Sequence, residues 1–436
     1  MRTAVVLFTR DLRLHDNPTL QAALEEAETV LPLFVSDEGI TGTRYGAAAN
    51  RRAFLAESLA DLDASLREKG AALDVRRGDV VTETVKAVRR VKAETVFLSA
   101  DVSPYARERE RRLGEELDLR LVDSSFVVPA GEVSPASSTH YQVFTPYYRS
   151  WLPAWRGDPL GTPRKIRLPD GAVTKPPAST QRASIVPGGE TAGAALAQRF
   201  ITNGLGDYGK GHDDLGAEGT SRLSPYIHFG CVSPRGLAVR ARKRGVAFVR
   251  QLCWRDFYAQ VMWGQPRTAT EDLRPRGDRW VDDEEKLGAW KDGRTGYPLV
   301  DAGMRQLRVE GWMHNRARLV VASFLVKDLG IDWREGARHF FDLLLDGDMA
   351  QNIGNWQWVA GTGVDTRPNR VFNPTAQLKR LDPQGEYVKR YVPELEHVPP
   401  SALAEPGLLA PDYPAPIVDH AEAVRAFRER RGSISD

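Results

Sequence analysis

Five short apolar runs, each followed by a stretch of helical pattern, occupy the first 125 residues and constrain the fold more than any other feature of the chain. The runs lie at 4–9, 30–35, 73–76, 95–99 and 119–122. Between them, residues 50–69 carry Phe54, Leu55, Leu59, Leu62 and Leu66 at helical spacing. Strands that are apolar almost throughout need cover on both faces, and alternating helices supply it. The pattern predicts a doubly wound parallel sheet. Such sheets take ligands at the carboxyl ends of their strands, which here carry Arg10-Asp11, Ser36-Asp37 and Ala100-Asp101. No G-x-G-x-x-G follows the first run, which disfavours a dinucleotide cradle in this half.

The periodicity then fails. Nine prolines between Pro135 and Pro187 and the pair Gly188-Gly189 mark residues 129–193 as a connector, with an aromatic, helix-patterned segment at 141–155. From residue 194 to 436 the pattern is helical, with apolar residues at three and four spacing in 300–307, 315–329 and 333–345 and a last helix at 417–431. The expected organisation is therefore an α/β domain at 1–128, the connector, and an all-α domain at 194–436. No stretch of eighteen apolar residues suggests a membrane span, and Arg10 interrupts the N-terminal run too early for a signal peptide. Two cysteines, Cys231 and Cys253, with no C-x-x-C pair, support neither a disulfide framework nor a metal site. A cytoplasmic monomer is the expectation. A net charge of +2 does not announce a nucleic-acid binder, although a local basic rim is compatible with it.

Several constellations have both a chemical and an ordinary structural explanation. Residues 346–358 pack Asp346, Asp348, Asn352, Trp356 and Trp358 into thirteen positions. That is either a loop with buried indoles or the polar floor of a pocket for a planar ligand. Tyr208 and the stretch Gly219-Thr220-Ser221-Arg222-Leu223-Ser224-Pro225 put hydroxyls at a helix start. They form either a simple cap or a phosphate seat. Gln251, Trp254 and Arg255 lie on an otherwise apolar helix. Asn315 and Arg318 share a helix face while Arg316 points elsewhere, so one arginine can meet Asp346 or Asp348 and the other a phosphate. Trp280, Trp333 and Trp356 read as core from their spacing alone.

In this order and spacing the motifs resemble one family closely. They are Arg10-Asp11-Leu12-Arg13, Thr220 to Pro225, Trp254-Arg255-Asp256-Phe257, Trp312 to Arg316, Asp346-Gly-Asp348 with Asn352, Trp356-Gln-Trp358, Phe372-Asn373-Pro374 and Asp382 to Val388. The chain is similar over nearly its full length to the photolyase/cryptochrome flavoproteins, and most similar to class I cyclobutane pyrimidine dimer photolyases. The resemblance implies FAD in the helical domain. Tyr208, Thr220, Ser221, Arg222, Leu223 and Ser224 match its phosphate and ribityl contacts. Asn315, Arg318, Asp346 and Asp348 match contacts around the flavin ring, and Asn352 matches the residue facing flavin N5. A neutral amide there adds no negative charge beside the ring, which favours the fully reduced anionic flavin; an aspartate, as in plant-type cryptochromes, favours protonation of N5.

Trp356, Trp333 and Trp280 match an electron-transfer chain, and Trp254 and Trp358 match the indoles that sandwich a flipped lesion. Gln251, Arg255, Arg316, Leu319, Gln377 and Arg380 match substrate- and DNA-contacting positions, where cations neutralise phosphates rather than read sequence. Gln251 replaces the usual glutamate and Leu319 the usual methionine. His314-Asn315 stands where animal-type (6-4) enzymes have a His-His pair. Phe34, Asp37, Arg51 and Asp101 match the lining of a second-chromophore site, with Ser103 departing from the family's glutamate. The resemblance favours 8-hydroxy-5-deazaflavin over a methenyl folate there. The implied activity is light-driven repair of cyclobutane dimers in UV-damaged DNA. The alternatives are a blue-light photoreceptor or a (6-4) photolyase, and the short stretch after Arg431 argues against a signalling tail.

Overall fold

A computed structural model describes residues 1–155, 157–178, 185–217 and 219–432. Residue 156 and residues 179–184 of the expected connector lie outside the described residues. The chain divides into two compact units. The first comprises Met1–Gly209 and Ser221–Pro266; the second comprises Lys210–Thr220 and Arg267–Asp436.

The first unit is built on β1 (Thr3–Phe8), β2 (Thr29–Asp37), β3 (Asp74–Gly78), β4 (Thr95–Ser99) and β5 (Leu119–Val122), all parallel in the order β3-β2-β1-β4-β5. Every residue of β1 and β4 is buried, as their continuous apolar sequence requires. β2 holds Pro32 in its interior. The strand accommodates it because Pro32 pairs with Val6 of β1, while pairing with β3 begins only at Leu33. Described parts of the connector pack on the sheet: Arg167 O accepts from Val30 N–H at 2.8 Å and Lys175 O from Val75 N–H at 2.8 Å. Its helix runs Phe144–Trp151. Asn17, Asp79 and Ser103 cap the helices after β1, β3 and β4 by accepting from backbone N–H groups. Ser103 therefore has a capping task of its own. The order of the strands reverses between β1 and β4, which places the topological switch point beside Arg10 and Asp101, paired at 3.2 Å.

The second unit is helical, and its core gathers Trp290, Phe324, Trp333, Phe340 and Trp356. The expected single helix over 315–329 is an α-helix, Asn315–Ser323, that widens into a π-helix, Phe324–Asp328. Within the widened turn Lys327 is fully buried, donating to the carbonyls of Ala360 (3.2 Å) and Pro368 (2.8 Å). The last helix begins at His420 rather than 417, because Ile417 N–H is drawn to Thr295 O (3.0 Å) and Asp419 caps Glu422 N–H (2.8 Å). Among the described residues no helix is long and apolar enough to cross a membrane.

Candidate active site

The densest polar sequence of the chain folds as one helix, Met349–Ala360. Asp348 caps it by accepting from Gln351 N–H at 3.0 Å, and Gly361 ends it in the left-handed region at φ 79°. Residues two apart in a helix diverge by about 200°, so Trp356 and Trp358 face different surroundings. Trp356 is 2% exposed and meets Phe340 edge-on at 5.0 Å and Trp290 at 6.1 Å. Gly336 makes room for it: a Cβ there would lie 2.1 Å from the indole. Trp358 is only partly buried and has Arg370 5.8 Å from its ring centre.

On one side of this helix lies a cleft with about 500 Å³ of empty space, open to solvent and bordered by Arg318, Leu319, Phe340, Asp346, Asn352 and Trp356, with Asn315 and Asp348 at its edge. Arg318 Nη2 donates to both carboxylate oxygens of Asp346 at 3.1 and 2.9 Å, and its Nε donates to Met313 O at 2.8 Å. The pair fixes the cleft's charged edge. Asn352 Nδ2 donates to Ala337 O at 2.8 Å. A backbone carbonyl can only accept, so that contact identifies the NH₂ end of the amide and makes Oδ1 its opposite, accepting end. The cleft thus combines an ion pair, a buried neutral amide and apolar and aromatic walls. Those groups can hold a flat heteroaromatic ring by its polar edge.

His314 caps the Asn315–Ser323 helix, accepting from Arg316 N–H at 3.1 Å through Nδ1. Burial, and then the neighbouring Arg316, push its pKa down to about 4, which keeps Nδ1 free to accept. As the spacing predicts, Asn315 and Arg318 border the cleft and Arg316 does not. Arg316 forms a two-point fork with Asp213 at 2.6 and 2.8 Å, a partner 103 positions away. Trp333 is fully buried and donates from Nε1 to Asp272 at 2.9 Å; Trp280 is half-buried. Trp290 was not singled out in the sequence, where its helical spacing from Leu287 says only core. Its ring contacts Trp356, and its Nε1 donates to Val321 O at 3.0 Å.

The other expected residues take varied places. Tyr208 packs edge-on against Phe200 (5.7 Å) and Phe248 (5.6 Å). The helix after Thr220 has only five residues, Ser224–His228. Its cap position is Leu223, without a side-chain bond, and the hydroxyl that serves the turn is Ser221 Oγ, accepting from Leu223 N–H at 3.3 Å. Arg222 adopts φ 49° there. Trp254 is stacked on Phe144, and Gln251 is exposed. Arg255 turns inward, donating to Ser125 O at 2.6 Å. Gln377 and Arg380 form a surface pair at 2.8 Å.

At the carboxyl ends of the sheet the expected second-chromophore residues meet partners within the chain. Asp37 accepts from Tyr105 Oη and from Gly39 N–H, and burial raises its pKa. Arg51 lies 3.6 Å over the Tyr45 ring and donates to Tyr45 O. Asp101 pairs with Arg10, and Phe34 is buried. Arg109 was missed. It is only 8% exposed, with Nε and Nη2 unpartnered, and Asp101, Asp37 and Asp11 exert their fields on it. Its sequence setting, a run of alternating arginine and glutamate, gave no sign of burial.

Comparison with known proteins agrees with the motif pattern. The family profile described as "DNA photolyase" matches residues 4–164, and "FAD binding domain of DNA photolyase" matches residues 248–432. The deoxyribodipyrimidine photo-lyase of Streptomyces griseus is 50% identical over 454 aligned positions, covering 99% of this chain and all of that protein. Among solved structures, a bacterial class III photolyase from Agrobacterium tumefaciens superposes with a TM-score of 0.90 at 30% identity, over 100% of this chain and 98% of the other. An archaeal photolyase from Sulfolobus tokodaii, described as holding two FAD molecules, superposes with a TM-score of 0.87 at 32% identity, over 99% of this chain and 100% of the other.

Proposed function

The chain belongs to the photolyase/cryptochrome family, and from that premise we propose that it repairs cyclobutane pyrimidine dimers in UV-damaged DNA with blue or near-ultraviolet light. The carrying observation is the cleft in the second unit, where the Arg318–Asp346 pair and the anchored Asn352 amide stand beside the buried Trp356. This set fits the ring system of FAD: the ion pair suits its polar edge, the amide adds no charge, and Leu319 and Phe340 supply apolar walls. Bound reduced FAD supplies a light-excited electron donor, and the electron returns after the dimer splits, so no net redox change results.

The residues of the chain do the rest. Arg318 and Asp346 orient the ring, and because each fixes the other, little rearrangement accompanies binding. Asn352 keeps the ring's surroundings free of added negative charge. Trp356 and Trp333 offer oxidisable indoles from the cleft towards the surface, with Trp280 as the outer member. Trp254 and Trp358 supply stacking surfaces for extruded pyrimidines, and Arg316, Gln377 and Arg380 supply contacts to the DNA backbone. We assign the chain to class I, acting as a monomer in the cytoplasm.

We further propose a second chromophore, an 8-hydroxy-5-deazaflavin, at the carboxyl ends of the sheet. The unpartnered, buried N–H groups of Arg109 support this, since a cation in that position suits the acidic hydroxyl of such a ring. The repair reading is tested by illuminating the reduced holoprotein with dimer-containing duplex and measuring dimer content. Light-dependent loss is expected; unchanged content under light sinks the reading.

A further inference from the structure

Three residues beside Trp254 in the first unit, Phe144, Tyr148 and Arg250, have no role in the account above. Phe144, at the start of the Phe144–Trp151 helix, lies flat on Trp254, with ring centres 3.7 Å apart and planes within 4°. Tyr148, one turn later, stacks on Phe144 at 5.8 Å. The Arg250 guanidinium lies 4.9 Å from the centre of Phe144 and 5.3 Å from that of Tyr148. Arg250 precedes Trp254 by one helical turn, so the two share a face of the Val246–Gly264 helix. It is exposed, and among the described residues no ion pair joins it to a carboxylate.

An exposed arginine ordinarily samples many rotamers or pairs with a nearby acid. Here the guanidinium carbon lies over two rings instead. A cation on an aromatic face leaves the N–H groups at its edge available and keeps its full charge. Pinning also removes much of the side-chain entropy that would be lost when a ligand is engaged. The result is a fixed, uncompensated, fork-shaped donor one turn from the indole assigned to the lesion. The ligand that matches a planar donor beside an extruded base is a phosphodiester of the same DNA strand.

We propose that Arg250 is a DNA-backbone contact seated on Phe144 and Tyr148, and that Phe144 also sets the plane in which Trp254 is presented. This rests on the repair reading above. The test is the affinity of the holoprotein for duplexes with and without one cyclobutane dimer, measured from 50 to 200 mM KCl. Arg250→Gln is expected to weaken binding to both duplexes alike, and to lower the slope of log K against log salt by about 0.9. The ratio of affinities at the two salt concentrations then falls about 3.5-fold. Arg250→Lys, which keeps the charge, is expected to restore most of the slope. Light-driven dimer loss in the saturated complex should stay at the wild-type rate in both variants. A slope unchanged in Arg250→Gln, with wild-type repair intact, overturns the inference alone; a wild-type protein that neither prefers nor repairs the dimer duplex overturns the repair reading instead.

Discussion

The carboxyl ends of the sheet and the cleft of the helical unit both gather charged side chains, with opposite outcomes. In the cleft, Arg318 and Asp346 satisfy each other and still border open space, so their pairing builds a site. At the sheet ends, Asp37, Arg51 and Asp101 are taken up by Tyr105, Tyr45 and Arg10, while Arg109 is left buried with donors unused. A site is therefore better located by what its polar groups leave unsatisfied or exposed than by how many charges it holds.

The largest expected effect breaks the cleft. Arg318→Met leaves Asp346 buried and uncompensated, which should cost about 3 kcal/mol and lower FAD retention, read from denaturant unfolding and from flavin absorbance of the purified protein. Next, Gly336→Ala pushes a methyl group into the Trp356 ring. Overpacking of this kind costs about 1–3 kcal/mol, and the near-ultraviolet dichroism of the indole should change with it.

The two regions should also respond oppositely to pH. His314 has a folded pKa of about 4, below its ordinary 6.5, so only the unfolded chain takes up that proton between these values. Its contribution to stability is present above pH 6.5 and is lost as pH falls towards 4. Glu110, beside Arg109, is raised by burial from 4.5 to about 7, so the folded chain holds the proton in that window. Its contribution is present below pH 4.5 and is lost as pH rises through 7. His314→Asn, which keeps a capping oxygen, should remove the acid-side loss; Glu110→Gln should remove the loss at rising pH. Unfolding free energies measured between pH 4 and 7 separate the two, and equal slopes in all three proteins would contradict the assignment. The last effect is spectral. Asn352→Asp should alter the visible spectrum after photoreduction; it also sets a carboxylate oxygen against Ala337 O in place of the Nδ2 donor, so stability at neutral pH should fall by about 1–3 kcal/mol.

Helix periodicity and continuous apolar strands made much of this legible in advance. β1 and β4 follow from their sequences; the shared face of Asn315 and Arg318 pointed one arginine at Asp346 or Asp348, and the structure pairs Arg318 with Asp346. The divergence of Trp356 and Trp358 needed helical backbone, which Met349–Ala360 supplies. What escaped depended on distant partners. Arg316 meets Asp213 across more than a hundred positions, and no local pattern encodes that. Arg109 sits in a run that reads as a solvated helix face. The π-turn at Phe324–Asp328 breaks a regular apolar spacing to bury Lys327, so the spacing itself concealed it. The five-residue helix at Ser224–His228 shows that hydroxyl-rich sequence can mark a turn rather than a long helix start.

The most direct test compares light-driven dimer loss in the reduced, FAD-loaded protein and its Arg109→Leu variant, at a wavelength absorbed by FAD and at saturating light. If the helical cleft carries the chemistry and the sheet ends only gather light, both proteins clear dimers at the same rate under light and neither does so in the dark. Persistence of dimers with the wild-type protein, or loss of repair in Arg109→Leu with FAD still bound, contradicts that division.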